Sequence, residues 1–436
     1  MHIDHATTAE LTAELSELEQ RHQQFIARQL RLDLTRGKPS LAQLDLSNAL
    51  LESLDPASSA ELRNHTELRN YGIVEGLPEA RQLFGELLDV PEAERTSRVF
   101  VGGNSSLSLM HYAVWFACQL GLHAGASSWQ AQARESGSAI KMLCPCPGYD
   151  RHFKICEQLG IEMLPVPLTG SGPDMDMVES LVSSDAMIKG IWCVPRFSNP
   201  TGETYSDEVV ERMAALPGIA GSDFLVFWDN AYAVHPLHND AAALKPIDPL
   251  AQAAGTADAI LQFGSTSKIT FAGAGIGFMS GGATVIKGFS EHFGKASIGS
   301  DKINQWRHVQ FLQNRATIEQ HMAAHANIIA PKFALLEQML HEALANSGMG
   351  QWTRPEGGYF VSFDTLPGLA QTVVSLAAET GVKLTPAGAT FPYGKDPDNR
   401  NIRLAPTFPV IEEVQAATEV FINCVKLATV RQKLAS

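Results

Sequence analysis

The sequence predicts an α/β protein, with a mostly parallel central sheet carrying helices on both faces and a smaller α+β domain after it. Three observations carry this reading. Short apolar runs recur from about residue 98, amphipathic stretches at helical spacing separate them, and beyond about residue 315 one long helical stretch gives way to isolated strand-like runs. Alternation of the first two is the pattern of βαβ units.

In chain order, Leu11, Leu15, Leu18, Phe25, Ile26 and Leu30 form a helical stripe over residues 8–30, which the turn-rich Arg36-Gly37-Lys38-Pro39 ends. The runs 99–101, 140–143, 191–194, 224–228 and 260–263 are apolar but for Lys141 and Gln262 and suit parallel strands buried on both faces. Helical stretches such as 107–120 and 207–215 lie between them. Residues 316–346 read as a long helix, and 358–363 and 402–405 as strands of the smaller unit. The expected division is 1–45 as an N-terminal helix and arm belonging to the small domain, 46–314 as the large domain, and 315–436 as the C-terminal small domain.

The 436 residues leave room for a large buried core, and 45% hydrophobic against 18% charged residues excludes disordered and collagen-like classes. Lys plus Arg number 33 against 47 Asp plus Glu, a net charge of −14 that repels phosphodiester backbones and anionic lipid. Neither nucleic acid nor a membrane is therefore an expected partner. The polar, acidic N-terminus lacks a signal-like apolar region, and the stretch 107–122 falls short of the about 20 residues a bilayer needs. A cytoplasmic protein is expected. Six cysteines without C-x-x-C spacing give no zinc or redox motif, and no metal is expected.

Functional groups in such sheets gather beyond the carboxyl ends of strands. Residues 99–101 run into Gly102-Gly103-Asn104-Ser105-Ser106 and a helix, which is either an ordinary N-cap or an anion site. Residues 191–194 lead to a turn that holds Asn199 before Pro200. Residues 224–228 end in Asp229, a carboxylate that needs a cation or a proton if buried. Residues 260–263 end in Gly264-Ser265-Thr266-Ser267-Lys268, an amine among hydroxyls. A lysine able to bond an aldehyde, an acid for a ring nitrogen and a helix start for a phosphate are the parts a pyridoxal phosphate site requires.

The motifs RNYG (69–72), PGYDRH (147–152), NPTG (199–202), DNAY (229–232), STSK (265–268) and NIRLAP (401–406) stand in the order of a known family. With them the chain resembles the fold type I, class I pyridoxal phosphate aminotransferases, and among these the bacterial aspartate aminotransferase subgroup near the catalytic domain of MocR-type regulators. The resemblance implies that Lys268 links to pyridoxal 5′-phosphate and moves the substrate proton, while Asp229 pairs with the ring nitrogen. It implies Tyr149 stacked on the ring, Asn199 and Tyr232 on the ring oxygen, and His152 behind Asp229. Phosphate would fall to Ser265, Gly103, Asn104 and Ser105, with Tyr71 reaching in from the second subunit of a homodimer. Arg403 would take the substrate α-carboxylate, Asn199 would also face the substrate, and Gly37 would let the chain close on it.

In many members an arginine eight residues beyond the lysine meets the phosphate, whereas this chain has Ile276 there. The cation for a distal substrate carboxylate stays open among Lys302, Arg307 and Arg36. The expected activity is transfer of an amino group from an amino acid, foremost L-aspartate, to 2-oxoglutarate by a ping-pong mechanism. Alanine or aromatic donors, or a lyase or decarboxylase reaction, are alternatives on the same scaffold. A sensing module of the MocR kind is the other class. Only about 35 residues precede the first family motif, too few for a DNA-binding domain of ordinary size.

Overall fold

The structure is a computed structural model and describes residues 2–54, 66–123 and 125–435. Among the described residues twelve strands occur: β1 (Leu32–Asp33), β2 (Val99–Val101), β3 (Lys141–Cys146), β4 (Glu162–Pro167), β5 (Ile188–Cys193), β6 (Leu225–Asp229), β7 (Ile260–Ser265), β8 (Gly277–Ser280), β9 (Gly350–Trp352), β10 (Val361–Thr365), β11 (Val382–Lys383) and β12 (Asn401–Leu404). Seven of them form one sheet in the order β2-β8-β7-β6-β5-β3-β4. The β4-β3-β5-β6-β7 portion is parallel, and β8 runs antiparallel to both of its neighbours.

Both faces of the sheet are buried, and the two-residue period of a strand shows in how side chains divide between them. Met142, Cys144, Trp192, Phe227, Leu261 and Phe263 join one core, while Leu143, Ile191, Cys193, Val226, Trp228 and Ile260 join the other. All five strands expected from sequence are present, but β2, expected as a parallel strand, sits at the sheet edge and pairs antiparallel with β8, because the intervening β8 reverses direction. β4 and β8 are additional. The outer strand β4 carries Pro165 and Pro167 and buries only part of its length, and β8 follows directly on the glycine-rich 272–277 segment. Neither gives the clean apolar run by which an interior strand is read.

Beyond the large sheet, β12-β10-β9 form an antiparallel sheet and β1 pairs in parallel with β11. Around them pack helices α1 (Thr8–Ala27), α5 (Arg315–Leu344) and α6 (Ile411–Ala435), to which the helices α2 (Ser106–Gln119), α3 (Asp150–Leu159) and α4 (Lys302–Leu312) of the large sheet region are added in chain order. A capping box between Thr7 and Glu10 starts α1, and Asn314 caps α5. Leu11, Leu18 and Phe25 of α1 share a core with Val420, Phe421 and Cys424 of α6, so the two ends of the chain are packed together. No helix of the described residues is long and apolar enough to cross a membrane, and all six cysteines are buried free thiols.

One buried ion pair braces the edge of the large sheet. Arg98, 3% exposed, donates to both carboxylate oxygens of Asp248 and to the Gly281 carbonyl at 2.9 Å. Removing Asp248 leaves the buried Arg98 with only the half-exposed Glu94, 2.8 Å from Nη1, as counter-charge, whereas replacing both Arg98 and Asp248 with apolar groups leaves no charge inside. Asp248→Ala is expected to lose about 3 kcal/mol in denaturant unfolding, and an Arg98→Met, Asp248→Leu double variant to regain most of it.

Candidate active site

The carboxyl ends of β6 and β7 bring the two chemically loaded groups side by side. β6 ends in Asp229, which is 3% exposed. Its Oδ2 lies 3.0 Å from His152 Nε2 in the first turn of α3, and its Oδ1 is buried with no hydrogen-bond partner. His152 is fixed in turn by stacking on Trp192 of β5, with centroids 4.3 Å apart and planes 8° apart. A buried acceptor without a donor is costly, so Oδ1 is a vacancy for an N–H.

Lys268 lies three residues past the end of β7 on a tight turn. Thr266 closes the turn, its N–H reaching the Ile276 carbonyl and its Oγ1 accepting from the Ile276 N–H, both at 2.8 Å. The ammonium lies over the Tyr232 ring at 4.8 Å and the Tyr359 ring at 5.9 Å, a cation–π seat. Burial, more than any neighbouring charge, holds the Tyr232 hydroxyl far above its ordinary range and pushes that of Tyr149 up to about 12. Both phenols are therefore neutral donors at physiological pH.

These groups line a cavity of about 610 Å³. Gly37, Ser105, Tyr149, Asn199, Asp229, Tyr232, Ser265, Lys268 and Arg403 all face it, although the sequence spreads them over more than three hundred positions. Gly103 and Asn104 are exposed and not among the lining residues: the Gly103 carbonyl accepts from Gly277 N–H at 2.6 Å, and the Asn104 carbonyl from Ser267 Oγ at 3.3 Å. A Cβ on Gly277 would stand 2.5 Å from the Ser105 carbonyl carbon, so only glycine lets β8 press the start of α2 into the cavity. A Cβ on Gly37 would meet the Phe360 ring at 2.4 Å.

Arg403, on β12 and 8% exposed, closes the far side. Its Nη1 donates to Asn199 Oδ1 at 3.1 Å and Asp150 Oδ1 at 3.2 Å, its Nη2 to the Thr35 carbonyl at 3.3 Å, and its guanidinium lies 4.8 Å from the Phe360 centroid. Arg36 and Arg151 stand exposed at the mouth.

Tyr71, Lys302 and Arg307 are not among the lining residues. Tyr71 is 82% exposed, Lys302 is buried with Nζ on the Tyr71 carbonyl at 3.2 Å, and Arg307 Nε is engaged by Asn304 Oδ1 at 2.7 Å. Ile276, where an arginine was looked for, turns into the core beside Ile269 and Phe278. Polar groups at that end of the cavity are Ser105, Ser106, Ser265 and Ser267 with the start of α2.

Asp150 and Arg151 were missed, although they lie inside the PGYDRH motif read for its tyrosine and histidine. Also missed was a set of histidines packed around the lysine turn. His308 of α4 reaches the hydroxyls of Thr270 at 2.9 Å and Thr266 at 3.3 Å, while His321 of α5 reaches the Ile269 carbonyl at 2.8 Å. His325, 3.2 Å from both His321 and Gln43, completes the set, and Gln43 donates to Tyr359 Oη at 2.9 Å. No spacing rule gathers these residues, because three separate segments supply them.

The chain from residue 6 to residue 436 matches the family described as aspartate amino-transferase. This chain belongs to that family. A Mycolicibacterium smegmatis protein that bears a provisional aminotransferase name is 48% identical over 419 residues, 94% of either chain. An aspartate aminotransferase of Corynebacterium glutamicum is 40% identical over 412 residues, covering 94% of this chain and 93% of that one. A crystal structure of an aspartate transaminase from the same organism superposes with a TM-score of 0.93 at 38% identity over 99% of both chains. The protein is thus an aminotransferase with the aspartate aminotransferase fold. At 20% identity and a TM-score of 0.72, an α-aminoadipate aminotransferase of Thermus thermophilus shares the fold and carries a phosphopyridoxyl-leucine ligand.

Burial pushes the His308 and His325 imidazoles down to about 4, from 6.5 for an unburied ring. Both are neutral in the folded aminotransferase and take up protons more readily when unfolded. Their contribution to stability is complete above about pH 6.5 and is lost as pH falls from there toward 4, on the order of 1 kcal/mol per group per pH unit. The melting temperature of a His308→Gln variant should therefore fall less steeply than that of the parent over this acid range.

Proposed function

We propose that this aminotransferase moves the amino group of L-aspartate to 2-oxoglutarate by a ping-pong mechanism, with pyridoxal 5′-phosphate held in the cavity beyond β6 and β7. The observation that carries the cofactor reading is the buried, unpartnered Oδ1 of Asp229 opposite Lys268. A protonated ring nitrogen satisfies that oxygen, and the lysine amine is within the same cavity for the cofactor's aldehyde. Once bound, the cofactor supplies an electron sink for the electrons released at the substrate Cα.

The chain's own groups do the rest. Lys268 Nζ takes the proton from the substrate Cα and returns it, a general base and acid in turn. Asp229 keeps the ring nitrogen protonated, and His152 and Trp192 fix the carboxylate. Tyr149 covers one ring face, and Tyr232 and Asn199 donate toward the ring oxygen. The start of α2 with Ser105, Ser265, Gly103 and Asn104 receives the phosphate, a task for which helix-start amides suit. Arg403 binds the α-carboxylate as a planar fork. Arg36 lines the mouth and none of the ion pairs among the described residues uses it, so it is the cation assigned to the distal carboxylate. That pair of cations, one deep and one at the rim, favours a dicarboxylic donor over alanine.

Residues 46–314 act as the cofactor-holding unit, with 1–45 and 315–436 forming the smaller lobe; the pairing of β1 with β11 and the packing of α1 on α6 support this division. The working form is a homodimer in the cytoplasm. Tyr71 lies exposed near Ile298, which is 58% exposed, and Ile303, which is 38% exposed, a surface suited to a second copy whose phosphate site Tyr71 and Lys302 would approach. Six free thiols suit a reducing compartment.

The purified protein should show the cofactor's visible absorbance band, lose it in Lys268→Ala, and change it on adding L-aspartate faster than on adding alanine. A band that aspartate leaves untouched would sink the donor assignment. Arg36→Gln is expected to lower kcat/KM for aspartate about tenfold and to leave that for alanine within about twofold, as loss of one charge-assisted contact should.

A further inference from the structure

Asp150 has no place in the chemistry above, yet its carboxylate lies in the same cavity on the arginine assigned to the substrate. Its Oδ1 is 3.2 Å from Arg403 Nη1, and its Oδ2 faces Arg151 Nε at 3.9 Å. The Asp150 side chain is 28% exposed and that of Arg151 58%, so the carboxylate stands between a deep guanidinium and one at the mouth. We propose that Asp150 is a competing place-holder that raises the affinity threshold for every carboxylate: it occupies Arg403 in the free enzyme and must be displaced toward Arg151 by the incoming carboxylate. This rests on the assignment of Arg403 as the carboxylate-binding arginine.

The donor geometry of Arg403 supports the competition. A carboxylate forks onto a guanidinium either at the Nε and Nη2 edge or at the end formed by Nη1 and Nη2. Arg403 Nη2 already carries the Thr35 carbonyl, and Nη1 lies between Asn199 and Asp150, both of which line the cavity. A carboxylate approaching that end meets the N–H that Asp150 holds. Two carboxylates cannot share one N–H without repulsion, so the substrate takes the fork only as Asp150 leaves. Arg151 prevents the displaced charge from being stranded.

The contact therefore filters ligands by the number of anchors they bring. A simple monocarboxylate offers nothing beyond what Asp150 already offers and displaces it poorly. An amino acid adds its bond to the cofactor and its contact with Asn199, and a dicarboxylate adds a second anion for the rim. Asp150 thus weakens binding of every carboxylate by a similar factor and leaves only multiply anchored ones bound at useful concentration.

Calorimetric titration of the holoenzyme with acetate and with maleate, two non-reacting ligands, tests this. Asp150→Asn and, as a second neutral variant, Asp150→Ser should each bind both ligands about fivefold more tightly than the parent, the size expected for loss of one partly exposed ionic competitor. Asp150→Glu, which keeps the charge, should stay near the parent. Unchanged or weaker binding in both neutral variants overturns the proposal, because a merely structural aspartate would lower affinity when removed. Arg403→Gln separates the underlying assignment: it should weaken maleate at least tenfold. If maleate binding is indifferent to Arg403, the arginine assignment fails and the place-holder falls with it. If Arg403→Gln weakens maleate and the Asp150 variants do not tighten it, only the place-holder is wrong.

Discussion

The rest of the structure is arranged around a carboxyl group placed where water cannot reach it. Asp229 ends an interior strand with one oxygen on His152 and the other on nothing. Burial of a lone carboxylate is prohibitive unless polar partners are fixed in advance, and the neighbouring elements supply that fixing. α3 begins where its first turn delivers His152, β5 places Trp192 beneath that ring, and Tyr149, the residue before α3, meets His152 edge-on at 4.9 Å. The parallel order β5-β6-β7 then sets Lys268 within the same cavity.

The other half of the cavity is built on a different principle. Around Asp229 the groups come from one sheet and the helix packed on it, namely Trp192 of β5, Lys268 beyond β7 and His152 of α3, so their spacing follows from the geometry of a single layered unit. Around Arg403 they come from four distant segments that meet only when the smaller sheets dock: Thr35 beside β1, Asp150 of α3, Asn199 after β5 and β12 itself. The Asp229 end is therefore framed within one layered unit, and the Arg403 end depends on how two packed layers sit against each other. Division of this kind suits an enzyme that keeps one ligand and exchanges another.

This difference also explains what could be read from the amino-acid order. The interior strands announce themselves as mostly apolar runs of three to five residues, and polar residues at or just beyond their ends line the cavity, so Asn199, Asp229, Ser265 and Lys268 were singled out by position. Arg403 needed a family motif, because a guanidinium on a short strand of an antiparallel sheet has no distinguishing periodicity. Asp150 and the histidines about the lysine turn were missed because their significance lies in which distant group they touch. β8 was hidden by glycine, whose value there is the absence of a side chain against Ser105, and β4 by its prolines.

The packing of α1 on α6 and of β1 on β11 has a consequence for how the molecule assembles. Arg403 and its acceptor Thr35 are 368 positions apart, and the first helix has its partner only when the last one exists. Contacts of such long sequence separation form late. On the ribosome the large sheet can be complete while the opening segment still waits for its mate, so the wall of the cavity borne by that sheet takes shape before the wall that Arg403 and Thr35 close between them.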